Sequence, residues 1–334
     1  MKHSTNFRFA ATILFSVLCL LGLNACRTSN NTATINNTGV TDGVGKSSTV
    51  GDSSRIVCIG TANTETVYAL GAGARLVGVD NSSGEYLQET ANLPKVGPRT
   101  TLSAEGILSL KPTLVILNTD SGPPQIFDQL KTSGVAVLAL PADYTIERVK
   151  TKVRTIARAL GFEAKGEDLL NSIERDISEV DKLLQGVRAK PQVMFIGRGP
   201  NMPNATMSGQ GTTIDEMIRL AGGVNPMNDF TGFREMTDEA VVAAQPDIIL
   251  MTEKSFERSG GTDGVLKFPG FVLTPAGKNR RIVAVSDVYF QGFGPGVGRA
   301  VHELALKFYP ELKDKNVDGA NSGNTTRFFV GERK

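Results

Sequence analysis

Two kinds of reactive side chain are scarce in this chain, cysteine with three residues and histidine with two among 334. Cys19 and His3 belong to an N-terminal segment that we expect to be removed, and Cys26 directly follows the removed residues. Cys58 is then the single thiol of the folded part, which excludes an intrachain disulfide there. With His302 as the one remaining histidine, a site built on clustered histidines, such as a catalytic or transported zinc site, is also excluded.

Neither sign of charge is in large excess, with 36 basic and 34 acidic residues. The chain has no long basic run, so nucleic acid is not an expected partner.

The first 26 residues have the organisation of a secretory leader. A basic start is followed by an apolar run of roughly fifteen residues at 9–23, which is short for a membrane span. The run ends in Leu23-Asn24-Ala25-Cys26, which resembles the lipobox of bacterial lipoproteins. The resemblance implies that Cys26 is acylated and becomes the first mature residue. An ordinary signal peptide or an uncleaved anchor is the alternative, and each of the three places the mature domain outside the cytoplasm.

The segment 27–54 is rich in Ser, Thr, Asn and Gly, and we expect it to be a flexible tether. Removal of leader and tether leaves about 280 residues, which favours two lobes.

Apolar runs that favour strands alternate with helical patterns from residue 55 onward. This alternation predicts an α/β fold: two Rossmann-like lobes with parallel-rich sheets, at 55–162 and 189–312. A periodic apolar stripe at 163–188 predicts one long helix that joins the lobes, with the ligand cleft between them. A polar tail follows at 313–334.

A repeat supports the two-lobe organisation, because residues 102–116 align without gaps to residues 236–250. Glu105 and Glu239 occupy equivalent places, each two residues after an N-cap type, where a carboxylate favours the positive end of a helix. Both glutamates could be no more than helix-end charges.

The repeat also resembles the lobe signatures of substrate-binding proteins of iron-complex, haem and cobalamin ABC importers. Segments 211–223, 273–281 and 292–295 make the haem-uptake branch the most similar. The resemblance covers about 55–310 and implies a ligand held between two lobes. It also implies that Glu105 and Glu239 dock onto arginines of a membrane permease.

One feature departs from that pattern. Many haem-binding relatives carry an iron-ligating tyrosine directly after a Val-Gly pair, whereas Val96-Gly97 is followed here by Pro98 and Arg99. Proline offers no ligating atom. Either another axial ligand is used, or the cargo needs none.

Several residues could take part in binding instead. Tyr86 and Tyr289 follow strands on the cleft side of the two lobes and are candidate iron ligands, each with a packed or surface aromatic as the alternative. We expect Met202 and Met207 to lie in a polar loop at 197–211 and to line the cleft, with methionine as a gap filler of the core as the alternative. Arg99 could pair with a haem propionate, or remain solvated.

The expected function is therefore that of a lipid-anchored, extracytoplasmic haem-binding protein, not an enzyme, that delivers its cargo to an ABC permease dimer with its ATPase. We expect a monomer without a catalytic cofactor. A ferric-siderophore or cobalamin binding protein is the alternative within the class. An extracytoplasmic enzyme is a remote one, because the chain has neither a Gly-x-Ser-x-Gly elbow nor a suitable histidine partner.

Overall fold

The computed structural model describes residues 38–41, 47–142, 144–197, 204–287, 290 and 293–313. Its first elements are β1 (Thr38–Thr41) and β2 (Ser47–Val50), which pair antiparallel. They lie within the segment predicted to be a tether, so that prediction does not hold for these eight positions. Each strand ends in β-branched residues, which suit extended backbone better than the rest of the segment does.

The N-terminal lobe is built on four parallel strands. They are β3 (Ile56–Cys58), β4 (Leu76–Val79), β5 (Leu114–Asn118) and β6 (Ala136–Leu140), in the sheet order β4-β3-β5-β6. Their apolar side chains are almost completely buried, as expected for a parallel sheet covered on both faces. The helices of this lobe are α1 (Thr61–Ala69), α2 (Asn81–Tyr86), α3 (Ala104–Ser109) and α4 (Ile126–Thr132).

Two long helices follow, α5 (Ile146–Leu160) and α6 (Glu163–Leu183). Gly161, at φ 76°, ends α5 in the left-handed conformation that glycine adopts without strain. The sequence pattern assigns the connection between the lobes to α6 alone. In the structure α5 takes part as well, because Val149 and Val153 pack in the C-terminal core while Ile156 and Leu160 pack in the N-terminal core.

The C-terminal lobe has a five-stranded mixed sheet in the order β11-β10-β7-β8-β9. Strands β7 (Val193–Gly197), β10 (Ile248–Thr252) and β11 (Ile282–Val285) are parallel, whereas β8 (Thr206–Ser208) and β9 (Phe233–Glu235) are antiparallel additions. Its helices are α7 (Thr213–Leu220), α8 (Asp238–Ala244), α9 (Glu253–Arg258), α10 (Gly261–Val265), α11 (Pro275–Lys278) and α12 (Val297–Phe308). The predicted α/β fold with two parallel-rich lobes is confirmed.

No helix among the described residues is long and apolar enough to cross a membrane.

Candidate functional site

A cleft of about 430 Å³ opens where the carboxyl ends of the parallel strands of both sheets meet. Its walls are formed by residues that directly follow or end β3, β4 and β5 on one side, and β7, β10 and β11 on the other. Ligands of open α/β sheets bind at this edge, because the loops after the strands supply polar groups there. The volume lies within the ordinary range of small-molecule sites.

The wall of the N-terminal lobe carries a buried polar network. One carboxylate oxygen of Asp80 accepts hydrogen bonds from the Gly60 N–H at 2.9 Å and from the Ser83 hydroxyl at 2.5 Å. The Asn63 amide donates to a backbone carbonyl at 2.8 Å and to Asn118 Oδ1 at 2.9 Å. The other Asp80 oxygen, Oδ2, and Asn63 Oδ1 have no hydrogen-bond partner in the described part of the chain. Both oxygens are buried, and of the two residues Asp80 belongs to the lining of the cleft.

Among the described residues, six aromatic side chains belong to the lining of the cleft. The lining contains Tyr86, Tyr144, Phe195, Phe233, Phe290 and Phe293. Edge-to-face contacts hold four of them in place, with ring centres 5.4 Å apart for Phe195 and Phe290, and 6.3 Å apart for Tyr144 and Phe293. Phe233 differs, because it lies on the edge strand β9 and is 58% exposed. Its ring is accessible from the cleft.

Charged groups of both signs also line the cleft. Arg99 lies at its edge and forms an ion pair with Asp120 at 2.6 Å. Lys152 of α5 and Arg258 of α9 supply further positive charge to the lining. Pro98, the residue predicted beside Arg99, is exposed in the adjoining loop.

An ion pair joins the lobes across the cleft. Lys254 Nζ of α9 lies 2.8 Å from a carboxylate oxygen of Glu85 in α2, and 4.6 Å from the centre of the Tyr86 ring. The backbone N–H of Lys254 donates to Asp287 at 3.2 Å, which fixes the start of α9. The pair is partly exposed, so it contributes at most about 1 kcal/mol to stability.

Tyr86 thus lines the cleft, as the sequence predicts, under an ammonium group. Burial raises the pKa of Tyr86 to about 12, with Glu85 and Asp287 acting in the same direction and Arg258 opposing them. Its side chain is therefore a neutral phenol at physiological pH. Ligation of ferric iron by Tyr86 would require the metal to displace that proton.

The methionine and tyrosine candidates have different outcomes. Met207 lies in β8, not in a loop, and is completely buried in the core beside Met194 and Ile196. The prediction that Met207 lines the cleft is therefore wrong. Met207 instead fills space in the core, which was the alternative. Met202 and Tyr289, like Cys26, lie outside the described residues.

The repeated segments fold alike in the two lobes. Glu105 and Glu239 are exposed in the first turns of α3 and α8, whose N-caps Ser103 and Thr237 each accept a backbone N–H at 3.2 Å. The residues before the two prolines, Lys111 and Gln245, share an unusual positive φ, at 50° and 41°. The sequence repeat at 102–116 and 236–250 is therefore also a repeat of local structure.

Comparison with known proteins identifies the family. A family model described as periplasmic binding protein matches residues 56–289. The chain belongs to the periplasmic binding protein family. It is 30% identical over 260 residues to YvrC of Bacillus subtilis, an uncharacterised ABC transporter substrate-binding lipoprotein, which covers 77% of this chain and 80% of YvrC. A vitamin B12-binding protein of Pectobacterium atrosepticum is 24% identical, with 78% and 89% covered.

Solved structures of haem-binding proteins are also similar. The periplasmic haem-binding protein RhuT of Roseiflexus, in its apo form, has a TM-score of 0.72 and 39% identity, with 78% of this chain and 100% of RhuT covered. The haem-binding protein BhuT, solved with two haems, has a TM-score of 0.71 and 36% identity, with 77% and 98% covered. The predicted resemblance to this family is confirmed.

Sequence reasoning missed several residues of the site. Asp80 follows β4 directly, so its position at a strand end was a usable signal. Phe233 and Lys254 could not be predicted, because nothing in the sequence around them distinguishes them from ordinary surface residues.

The first prediction concerns the Tyr86 phenol. A difference titration of tyrosinate absorbance between the parent protein and Tyr86→Phe should show a component with a midpoint about two pH units above a free tyrosine, because burial penalises the phenolate. Tyr68→Phe, which removes a less buried ring, is the matched control. A Tyr86 midpoint near that of free tyrosine would contradict this description of the site.

Proposed function

We propose that this protein binds haem outside the cytoplasm and delivers it to an ABC permease, with no bond made or broken by the chain itself. The observation that carries the proposal is the aromatic lining of the cleft between the two lobes. A flat, largely apolar macrocycle suits aromatic side chains on both of its sides, and the lining has Tyr86 in the N-terminal lobe and Phe233 in the C-terminal lobe. The similar haem-binding structures support the same cargo.

Phe233 is the residue best suited to stack on the cargo. It combines 58% exposure with a place in the lining, whereas Phe195, Phe290 and Phe293 are each at most 6% exposed. Its exposed ring is therefore free to stack on a planar ligand in the cleft.

Arg99 and Arg258 extend the match to the acidic edge of haem. They lie in opposite lobes, so a macrocycle with two propionates could engage either or both through charge-assisted hydrogen bonds. Tyr86, Tyr289 and Met202 remain the proposed candidates for the iron ligand, with Tyr86 acting only after loss of its proton.

Cobalamin is the second candidate cargo, and one observation favours it. The N-terminal side of the cleft lining is polar, with Asp80, Ser82 and Asn118, and the amide groups of a corrinoid donate hydrogen bonds to such acceptors, whereas propionates do not. The vitamin B12-binding relatives agree with this alternative.

A hemin titration distinguishes the two cargoes. We expect a Soret shift that saturates at one equivalent, and no competition from cobalamin. Phe233→Ala should weaken hemin binding about tenfold, since loss of one stacking contact costs roughly 1 kcal/mol and some burial is lost with it. Leu273→Ala, at an apolar residue of similar exposure that does not line the cleft, should leave the affinity unchanged. Saturable cobalamin binding without a hemin response would contradict haem as the cargo.

Delivery requires docking, and we propose that Glu105 and Glu239 provide it. Their exposure and their equivalent places in the two lobes suit a permease of two similar subunits. Alanine at either position should reduce transport in reconstituted vesicles, and alanine at both should reduce it most, because loss of a charged partner at an interface costs about 2–5 kcal/mol when the pair is desolvated. Cargo affinity should not change.

Glu163→Ala is the matched control for docking, since Glu163 is also an exposed first-turn glutamate but lies outside the repeat. Normal transport by the Glu105→Ala/Glu239→Ala double variant would show that these carboxylates are only helix-end charges.

We further propose that Cys26 carries a lipid that anchors the mature protein to a bacterial membrane, in agreement with the lipoprotein relative YvrC. Fatty-acid labelling should be lost in Cys26→Ser. Persistent label on that variant would exclude the anchor.

A further inference from the structure

Glu65 of α1 reaches from the N-terminal lobe to the backbone of the C-terminal lobe. Its Oε1 atom accepts a hydrogen bond from the Gly296 N–H at 2.9 Å, across 231 residues of sequence. Gly296 directly precedes α12, and α12 packs in the core of the C-terminal lobe. The contact therefore joins an element of one lobe to an element of the other.

Two glycines make room for this carboxylate. A Cβ atom at Gly294 would lie 2.2 Å from Glu65 Oε2, and one at Gly296 would lie 2.8 Å from Oε1. Both distances are below any real Cβ contact, so an alanine at Gly294 would displace the carboxylate. Neither glycine has the positive φ that would demand glycine on backbone grounds. Space for Glu65 is thus the physical reason for a small residue at Gly294.

We propose that Glu65 is the positioning residue of the cleft: its carboxyl group, seated on the Gly294–Gly296 backbone, sets the separation of the two lobes and makes that separation respond to pH. The neighbouring pair Phe293 and Tyr144 transmits any change directly to the lining, because both rings belong to the cleft.

The pH response follows from the partial burial of the Glu65 carboxyl group. Burial raises the pKa of Glu65 from 4.5 to about 7, while the Gly296 N–H and the Arg299 guanidinium oppose the rise. Other charged groups on elements next to this contact are Lys152 on α5, Asp80 and Glu85 at α2, and Asp176 on α6 against Gly298.

The direction of the pH response depends on whether the seated or the exposed carboxyl of Glu65 has the higher pKa. The seated carboxyl binds a proton more tightly than a carboxyl exposed by separation of the lobes, so protonation favours the seated contact. That preference is fully present below about pH 4.5 and is lost as the pH rises through about 7. Near neutral pH a small change in acidity therefore shifts the balance between closer and wider lobes.

Hydrogen–deuterium exchange of the Gly296 amide in the ligand-free, full-length protein tests the proposal. Glu65→Gln keeps the acceptor and removes the titration, so its exchange corrects for the intrinsic effect of pH. From about pH 5.5 to about pH 8.5, protection in the parent protein relative to Glu65→Gln should fall roughly tenfold or more. Glu179→Gln, at an exposed site in α6, should behave as the parent protein does.

Gly294→Ala and Glu65→Ala should both lose protection at every pH, and Glu65→Gln should retain it. A pH-independent ratio of parent to Glu65→Gln would overturn the pH response, and unchanged protection in Gly294→Ala would overturn the seating itself. The exchange measurement uses the ligand-free protein, so its result is independent of whether hemin is the ligand.

Discussion

The cleft depends on the packing of α5 and α6 into the cores of both lobes. Val149 and Val153 contact one core and Ile156 and Leu160 the other, all from a single helix. Because these side chains are almost fully buried, rotation of either lobe would open a cavity costing on the order of 1 kcal/mol or more for each large side chain. The helix pair thus restrains the lobes, and the carboxyl ends of both sheets stay opposed.

Within that frame, the two sides of the cleft contribute different chemistry. A buried polar network centred on Asp80 and Asn63 supports the N-terminal wall, and the C-terminal wall supplies Phe195, Phe233 and Phe290. Polar contacts between the lobes, among the described residues, include Glu85 with Lys254 and Glu65 with Gly296. The first is partly exposed and weak, whereas the carboxyl group of the second is partly buried and the pKa of Glu65 is raised by burial. Small adjustments of the cleft should therefore be governed by Glu65.

The sequence predicts what depends on local patterns. Alternating apolar runs predict the parallel strands, and the gap-free repeat predicts that Glu105 and Glu239 share one local environment. Short elements cannot be predicted in this way. Strand β8 has three residues, too few to show an alternating pattern, and Met207 was therefore predicted to lie in a loop. Contacts between distant segments escape it too. Nothing near Glu65 reveals that Gly296 lies beside it, because tertiary proximity is set by the packing of whole helices.

A crystal structure of the protein grown with hemin tests the central claim most directly, since it locates the cargo. The account predicts a macrocycle between the lobes, stacked on Phe233, with its carboxylates toward Arg99 or Arg258. Hemin on the outer surface, with the aromatic lining of the cleft unchanged and unoccupied, would contradict the account.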